Sequence, residues 1–421
     1  MSVEPGFRKG LGHRGFRRGA RVGRGRSISA RWRDAAGPGD RPRSLYLHVP
    51  FCARRCSYCD FAVQATSEAP TRAWLDAVVA ELRLRRDEEG WDAPLALDTV
   101  YVGGGTPSLL DAGAMAELRE RLAPHAAWND GAEWTCEANP ESFTPAVAGA
   151  WREAGVNRVS LGAQSFHAPT LRWMGRLHGV DGPARAVMAA RGAGLHNLSV
   201  DLIFGLPERL GRDWGADLEL ALALEPEHVS LYGLTAEVGA PLGRWVREGK
   251  EALADEDRYA DEYLLAHRTL TGAGFEHYEV SNFGLAGRRS RHNFAYWTGV
   301  PYAALGPGAH SFHPPLRRWN VRGWDAYREA LAAGRLPVED EERVDEETAG
   351  LEGAWLGLRT DLGHPVSGAA ERRLASLWEA QGWARVADGV VRLTAEGWLR
   401  LDRLAVEMAS AAEHPAPALQ G

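Results

Sequence analysis

Three closely spaced cysteines carry the clearest chemistry in this sequence. Cys52, Cys56 and Cys59 are separated by three and by two residues. Thiolates bind iron–sulfur clusters, and such tight spacing lets one loop supply three corners of a cubane. Three protein ligands leave a fourth iron open to a substrate or a cofactor. The motif therefore predicts a [4Fe–4S] cluster.

Two other uses of these thiols fit the sequence less well. A closed zinc site needs four ligands, usually as two separated pairs, and no second pair follows. Cys136 falls in a predicted strand, which favours a buried cysteine over a ligand. His48 is expected on a strand, pointing away from the loop or into the core. A disulfide framework is also disfavoured, because three of the 4 cysteines are clustered.

Six short apolar runs with little alternation predict strands buried on both faces. They are Ser44–Val49, Leu97–Val102, Ala132–Glu137, Val156–Leu161, Leu198–Ile203 and His228–Tyr232. Helical spacing between them, as at Trp74, Leu75, Val78 and Leu82, indicates alternating strands and helices. Such alternation predicts an α/β fold with a parallel sheet and right-handed crossovers.

The polar clusters of the sequence each follow or end one of these strands. They are Cys52–Cys59, Gly103–Pro107, Glu137–Pro140, Gly162–Phe166, Gly205–Pro207 and Gly233–Thr235. Parallel barrels build their sites at the carboxyl ends of their strands, so this placement favours a barrel over an open sheet. Six units are too few to close one. We therefore predict a partial (β/α)6 TIM-like barrel that is open at the side.

Composition divides the chain into three predicted regions. Residues 1–43 hold 12 Lys and Arg against three acidic residues, so the remainder carries −7 − 9 = −16. The Arg/Gly-rich stretch predicts a disordered extension without the apolar core of a secretory signal. Residues 44–285 form the predicted core. Residues 286–421 end in helices, a small β element and a helix near Thr394, typical of a winged-helix-like cap.

Charge and hydropathy argue against nucleic-acid binding and against a membrane-spanning helix. The acidic remainder of the chain argues against general nucleic-acid binding, which needs basic surface. No run of about 18 apolar residues occurs, so no transmembrane segment is expected.

The run Leu45–Phe61 resembles the HemN/HemW group of the radical S-adenosylmethionine (SAM) superfamily. The resemblance extends from about residue 44 to 410. It includes the runs Gly103–Ser108, Glu137–Glu141, Ser160–Phe166, Asp201–Pro207 and Tyr278–Ser311. In that family SAM chelates the open iron, and one electron from the cluster cleaves it to a 5′-deoxyadenosyl radical. The resemblance thus implies a [4Fe–4S] cluster and SAM as cofactors.

The resemblance also implies which residues contact SAM. Arginine suits its carboxylate, and carboxylates suit its amine or ribose hydroxyls. Each position alone could instead be a strand-end hydrogen-bonding residue, and the glycine triplet a plain turn. The matching positions are Gly104, Gly105, Thr106, Glu137, Gln164, Arg176 and Asp201, with weaker matches at Tyr46, Tyr58 and Thr235.

Two branches of the group share this core. The oxygen-independent coproporphyrinogen III dehydrogenases have a fourth cysteine two residues after the third, where this chain has Phe61. They also have a longer N-terminal substrate region, which residues 1–43 do not resemble. These differences favour the heme-chaperone branch, whose members bind heme and pass it to client proteins, respiratory proteins being candidates. The dehydrogenase activity is the alternative, and a cytoplasmic location is expected.

The stretch Arg291–Trp297 contains the pattern His-Asn-x-x-Tyr-Trp, which is typical of the heme-chaperone branch. Imidazole can ligate heme iron axially, so His292 is the predicted heme ligand, with His310 the second candidate. His277 and His313 remain open, and His292 could instead order its loop. A radical methyltransferase is disfavoured, because no cobalamin domain or extra cysteines are seen. The client protein, the need for SAM cleavage and homodimer formation are not decided by the sequence.

Overall fold

The computed structural model describes residues 41–91 and 93–413. Most of the extension predicted to be disordered therefore lies outside the described residues. The main sheet has twelve strands, numbered here in chain order. Across the sheet they are β14 (Val338–Arg343), β13 (Leu316–Asn320), β12 (His310–His313), β11 (Tyr302–Leu305), β1 (Ser44–Val49), β4 (Leu95–Gly104), β5 (Ala126–Ala138), β6 (Arg158–Gln164), β7 (Leu198–Phe204), β8 (His228–Gly233), β10 (Asn282–Gly284) and β9 (Glu276–Glu279).

Six neighbouring strands of this sheet, β1 and β4–β8, run parallel, and they are the six predicted from sequence. Side chains alternate between the two faces of each strand. On β1, Leu45 and Leu47 face the helices and are fully buried in the main apolar core. Tyr46 and His48 face the concave interior, where they bond to each other. The barrel interior is therefore polar, and the apolar core lies under the helices.

Helices connect the strands and cover their outer face. Trp74, Leu75, Val78 and Leu82 of the first helix have no solvent exposure, which explains the helical spacing in the sequence. The α-helices are α1 (Thr71–Glu89), α2 (Ala114–Leu122), α3 (Pro145–Ala154), α4 (Ala168–Met174), α5 (Gly182–Gly192), α6 (Trp214–Ala223), α7 (Pro241–Arg247), α8 (Glu256–Gly272), α9 (Arg291–Trp297), α10 (Trp324–Ala332), α11 (Glu346–Arg359), α12 (Ala369–Ala380), α13 (Ala395–Trp398) and α14 (Leu401–Glu413).

The two borders of the sheet are formed by later parts of the chain. β11 adds parallel to β1, and β12, β13 and β14 continue antiparallel to the outer border. β10 and β9 add antiparallel at the other side. Since β9 and β14 do not pair, the barrel is open, and the predicted α/β partial barrel is confirmed. The sheet continues across residue 285, where we predicted a boundary, and that boundary stays a prediction.

The last described region combines α11–α14 with a small sheet in the order β15-β17-β16. The predicted β element is present as β16 (Ala384–Ala387) and β17 (Val390–Leu393), joined by β15 (His364–Pro365). Thr394 caps α13 by accepting a hydrogen bond from the Gly397 amide at 3.2 Å. Whether this cap is a winged helix stays a prediction. None of the helices in the described ranges is long and apolar enough to cross a membrane.

Candidate functional site

The three clustered cysteines lie on one loop at the carboxyl end of the barrel. Cys52 ends β2 (Phe51–Cys52), which pairs in parallel with β3 (Gln64–Ala65). The loop is tied to the rest of the barrel through Ser57, whose amide donates to the Met174 carbonyl at 3.4 Å. The Ser57 carbonyl accepts from the Leu242 amide at 2.8 Å. The fold therefore fixes this loop at the barrel mouth, where a parallel barrel carries its site.

Burial favours the protonated form of two of these thiols, those of Cys52 and Cys59. It raises the pKa of Cys52 to about 11 and the pKa of Cys59 to about 12. Iron binds thiolates, so cluster assembly must release these protons. No three acidic, histidine or cysteine side chains of the described residues converge on a single metal ion. A cubane distributes its ligands over separate irons, so three thiols on one loop still fit it.

The glycine motif at the end of β4 holds the cysteine loop in place. The amides of Gly105 and Thr106 donate to the carbonyls of Val49 and Phe51, at 2.7 and 2.8 Å. Gly104 has φ +106°, and a Cβ there would lie 2.3 Å from the His48 ring. The close approach that these glycines permit is therefore to His48 and the loop. Contact with SAM at this motif stays a prediction, and the amides of Gly105 and Thr106 are already occupied.

Glu137 ends β5 and links the glycine motif to the barrel interior. Its carboxylate accepts from the Gly104 amide at 2.9 Å and from the Tyr101 hydroxyl at 2.8 Å. Deeper inside, Asp201 accepts from the hydroxyls of Ser160 at 3.0 Å and Ser199 at 3.1 Å. Burial, reinforced by the charge of Glu137, raises the pKa of Asp201 to about 6. Two predicted site carboxylates thus share one polar interior.

Arg176, which follows α4, reaches across the mouth. Its Nη2 donates to Asn139 Oδ1 at 2.7 Å and to the Gly162 carbonyl at 2.6 Å. Its Nη1 lies 4.0 Å from Cys56 Sγ. Asn139 also donates from Nδ2 to the Thr106 hydroxyl at 2.9 Å. The sequence reasoning did not single out Asn139 or Tyr101, although Asn139 stands in the Glu137–Glu141 run and Tyr101 shares the inward face of β4 with Gly103.

Several buried polar atoms around the mouth have no partner among the described residues. They include Gln164 Oε1, Glu141 Oε2 and Arg176 Nε. Gln164 also adopts a left-handed backbone conformation, with φ +67°. Buried polar groups are normally hydrogen-bonded, so these atoms fit a site that receives a polar ligand. An amino acid group such as that of SAM supplies both donors and acceptors.

The weaker predicted contacts lie at different depths around the mouth. Tyr46 is buried, and its hydroxyl bonds to His48 Nδ1 at 3.0 Å. Tyr58 packs against a small apolar cluster around Ile203. Thr235 is exposed after β8, and its hydroxyl lies 3.4 Å from the Gly233 carbonyl. Tyr58 also makes a side-chain hydrogen bond with Cys56, which places it at the cysteine loop. The role of all three residues toward SAM stays a prediction.

His292 lies at the opposite, amino-terminal side of the barrel strands. It is fully buried on α9, and its ring stacks on Tyr101 at 5.2 Å. Its Nδ1 bonds to the Thr99 hydroxyl and its Nε2 to the Tyr296 hydroxyl, both at 2.8 Å. Its amide donates to Glu133 at 3.0 Å. Both ring nitrogens are therefore engaged, as in a histidine that orders its helix.

The other candidate heme ligands are dispersed over the molecule. His310 begins β12 and stacks on Trp319 at 5.7 Å. His313 lies 3.9 Å from Glu89 and is 42% exposed in its side chain. His277 stacks on Phe283, with ring centroids 3.8 Å apart. Burial lowers the pKa of the His48 ring, and His310 is near enough for its charge to lower that pKa further. His48 in turn bonds to the Ala62 carbonyl just after the cysteine loop. Which of these histidines binds heme stays a prediction.

Comparison with known proteins places this chain in a family. The Radical SAM superfamily profile matches residues 46–221. The heme chaperone HemW of Mycobacterium tuberculosis is 39% identical over 371 residues, covering 87% of this chain and 94% of that protein. HemW of Synechocystis is 36% identical over 328 residues, covering 76% of this chain and 79% of that protein.

A solved structure is similar over nearly the same extent. Coproporphyrinogen III oxidase (HemN) from Escherichia coli, a radical SAM enzyme, has a TM-score of 0.75 at 20% identity. The match covers 91% of this chain and 93% of that chain, and it shows a shared fold.

The chain therefore belongs to the radical SAM superfamily, and within it to the HemW proteins. Membership in the superfamily implies a [4Fe–4S] cluster and SAM.

Proposed function

We propose that this protein is a heme chaperone that carries a [4Fe–4S] cluster and SAM and delivers heme to client proteins in the cytoplasm. The observation that carries the proposal is the 39% identity over 87% of the chain to a protein named heme chaperone HemW. Phe61 supports it, because it stands where the dehydrogenase branch has a fourth cysteine. That position is 39% exposed beside the cluster loop.

Cys52, Cys56 and Cys59 would hold the cluster, and the polar groups of the mouth would hold SAM. The cluster and SAM together supply one-electron chemistry when bound. Arg176 is placed to bind a carboxylate, since guanidinium pairs with carboxylates in two-point geometry. Glu137 is placed to accept from an amine or a hydroxyl, although it already accepts from Gly104 and Tyr101. SAM would therefore add to an existing hydrogen-bond network.

We propose His292 as the heme ligand, with a condition set by its surroundings. Iron needs a ring nitrogen, and both nitrogens of His292 are bonded to hydroxyls, of Thr99 and Tyr296. Burial lowers the pKa of His292 well below its usual value, so the ring is neutral, the form that ligates metal. Ligation would require α9 to move away from the barrel strands. His310 is the next candidate.

The alternative function is oxidative decarboxylation of coproporphyrinogen III. It is supported by the shared fold with HemN, which covers 91% of this chain. At 20% identity this likeness concerns the fold alone. The missing fourth cysteine in the loop argues against it.

An anaerobic hemin titration of the cluster-reconstituted protein, followed at the Soret band, tests the proposal. We expect saturable binding that weakens in His292→Ala and is unchanged in His196→Ala, a matched control at an exposed histidine. Unchanged binding in His292→Ala would move the ligand, to His310 first. No saturable binding by the wild type would refute the chaperone function, and coproporphyrinogen III would then be assayed as a substrate.

A further inference from the structure

A chain of hydrogen bonds joins two of the clustered cysteines through side chains from three other loops. The Thr106 hydroxyl lies 3.5 Å from Cys52 Sγ and accepts from Asn139 Nδ2 at 2.9 Å. On its other side, Asn139 Oδ1 accepts from Arg176 at 2.7 Å, and Arg176 lies 4.0 Å from Cys56 Sγ. Asn139 is thus placed between the polar groups that approach the two sulfurs.

We propose that Asn139 is a positioning residue that aims Thr106 and Arg176 as hydrogen-bond donors at two cluster thiolates, and that this relay raises the reduction potential of the cluster. The inference rests on the cluster part of the proposed function. It does not depend on heme binding.

The direction of each bond follows from the chemistry of the groups. Asn139 Nδ2 can only donate, so the Thr106 hydroxyl oxygen accepts from it. The proton of the Thr106 hydroxyl is then free to be donated to Cys52. Thr106 is 1% exposed, so bulk water does not compete for that proton. Oδ1 can only accept, which fixes the Arg176 guanidinium. Asparagine combines one donor and one acceptor on one planar group, as this relay requires.

Asn139 is itself held in place. Its amide donates to the Ser108 hydroxyl at 3.2 Å, and its carbonyl accepts from the amides of Ser142 and Phe143, both at 3.1 Å. The side chain therefore starts from a fixed backbone. A relay built on a fixed residue keeps its donors oriented at little further entropic cost.

Donors to cluster sulfurs favour the reduced state. Reduction adds one negative charge to the cluster and its thiolates, and hydrogen bonds to sulfur are among the factors that set the potential. Residues that orient the groups around a metal site tune it in the same way. Removing a donor should therefore lower the midpoint potential without removing any ligand.

The test is an EPR-monitored redox titration of the reconstituted full-length protein, with iron and sulfide content measured in parallel. Thr106→Val removes the hydroxyl at nearly constant shape, and Asn139→Ala removes the residue between the donors. We expect both to lower the midpoint potential, Asn139→Ala by more. Thr106→Ser should restore it. Thr298→Val, at an exposed hydroxyl on the end of α9, is the matched control and should leave it unchanged.

Each outcome bears on the relay. Unchanged potentials at full iron content in both Thr106→Val and Asn139→Ala would overturn it. So would a Thr106→Ser protein that behaves like Thr106→Val. Cluster loss in Thr106→Val with retention in Thr106→Ser would support it, whereas loss in both would overturn it. A wild-type protein that binds no cluster would refute the cluster assignment itself. A failed hemin titration would leave the relay standing.

Discussion

Four cysteines occur in this chain, and their surroundings separate three from the fourth. Cys52, Cys56 and Cys59 are half-buried on the mouth loop, where Thr106 approaches Cys52 and Arg176 approaches Cys56. Cys136 is fully buried on the outer face of β5, 3.6 Å from the sulfur of Met115. Only the first three can reach a shared cluster.

This difference predicts the outcome of single substitutions. Cys56→Ala should abolish the visible absorbance of the reconstituted iron–sulfur cluster while leaving the protein folded, because a ligand is lost from a loop. Cys136→Ala should retain the absorbance and is the matched control. Absorbance and iron content after anaerobic reconstitution measure both. A Cys56→Ala protein with a full cluster would contradict the ligand assignment.

Asp201 predicts a pH dependence of stability. Its pKa is raised to about 6 by burial, from a usual value of 3.8. The native state therefore holds a proton that the unfolded state has lost between about pH 4 and 6. Stability contributed by this group is present below that range and falls as pH rises through it, by about 3 kcal/mol.

Asp201→Asn should remove this loss, because the amide carries no charge and its oxygen can still accept from Ser160. We expect a higher unfolding midpoint than wild type at pH 7.5 and little difference at pH 4. Urea unfolding at the two pH values measures it. Equal stability of the two proteins at pH 7.5 would show that Asp201 ionises without cost. SAM binding should weaken in the same variant.

At the scale of the element, strands could be predicted from the sequence where both of their faces are buried. The six parallel strands were predictable because both of their faces are buried. They are not uniformly apolar, however, since polar side chains such as Ser199 and Asp201 alternate with apolar ones and line the interior. β13 and β14 were not predictable, since Leu316–Asn320 and Val338–Arg343 are polar and partly exposed. Short border strands are stabilised by pairing with a neighbour, which no local pattern encodes.

The candidate site was likewise predictable from the sequence only in part. The cysteine spacing identified the loop, and strand ends identified where the polar clusters would meet. The role of Asn139 was not visible, because it depends on the side chains of Thr106 and Arg176, which are distant in sequence. The glycine motif was interpreted as room for a ligand, whereas at Gly104 the room is taken by His48.

Substitution of Gly104 in the glycine motif should lower stability and impair iron binding at the cysteine loop. Gly104→Ala would place a Cβ 2.3 Å from the His48 ring at φ +106°, so the motif must shift away from β1. We expect a loss of at least about 2 kcal/mol in unfolding free energy and poor iron incorporation. Gly131→Ala has φ +71° but no atom within 4 Å of its Cβ, and should cost only about 1 kcal/mol. Equal effects of the two would exclude the contact with His48 as the cause.

At the scale of the whole molecule, a nearly fully buried ion pair joins the barrel to the C-terminal helices. Arg359 Nε, at the end of α11, lies 3.0 Å from Glu279 on β9, and the two side chains are 5% and 0% exposed. The Arg359 guanidinium also lies over the Trp297 ring at 4.0 Å. Three elements from distant parts of the chain therefore meet at this arginine.

Arg359→Ala should destabilise the protein by about 3 kcal/mol, because it leaves the Glu279 charge buried without its partner. Arg403→Ala is the matched control. It removes an exposed pair with Glu407 and should cost less than about 1 kcal/mol. Urea unfolding measures both. A loss below about 1 kcal/mol in Arg359→Ala would show that this ion pair contributes little to holding the barrel and the C-terminal helices together.

The outermost strand of the sheet bears on how copies of this protein behave at high concentration. Among the described residues β14 pairs with β13 alone. The unpaired backbone groups of such an edge strand can bond to a strand of a second molecule. β14 presents four consecutive acidic residues, Glu339–Glu342, against a single arginine. Two copies aligned along this border would set like charges opposite each other, which disfavours pairing. The acidic charge of β14 therefore disfavours edge-to-edge aggregation at this border of the sheet.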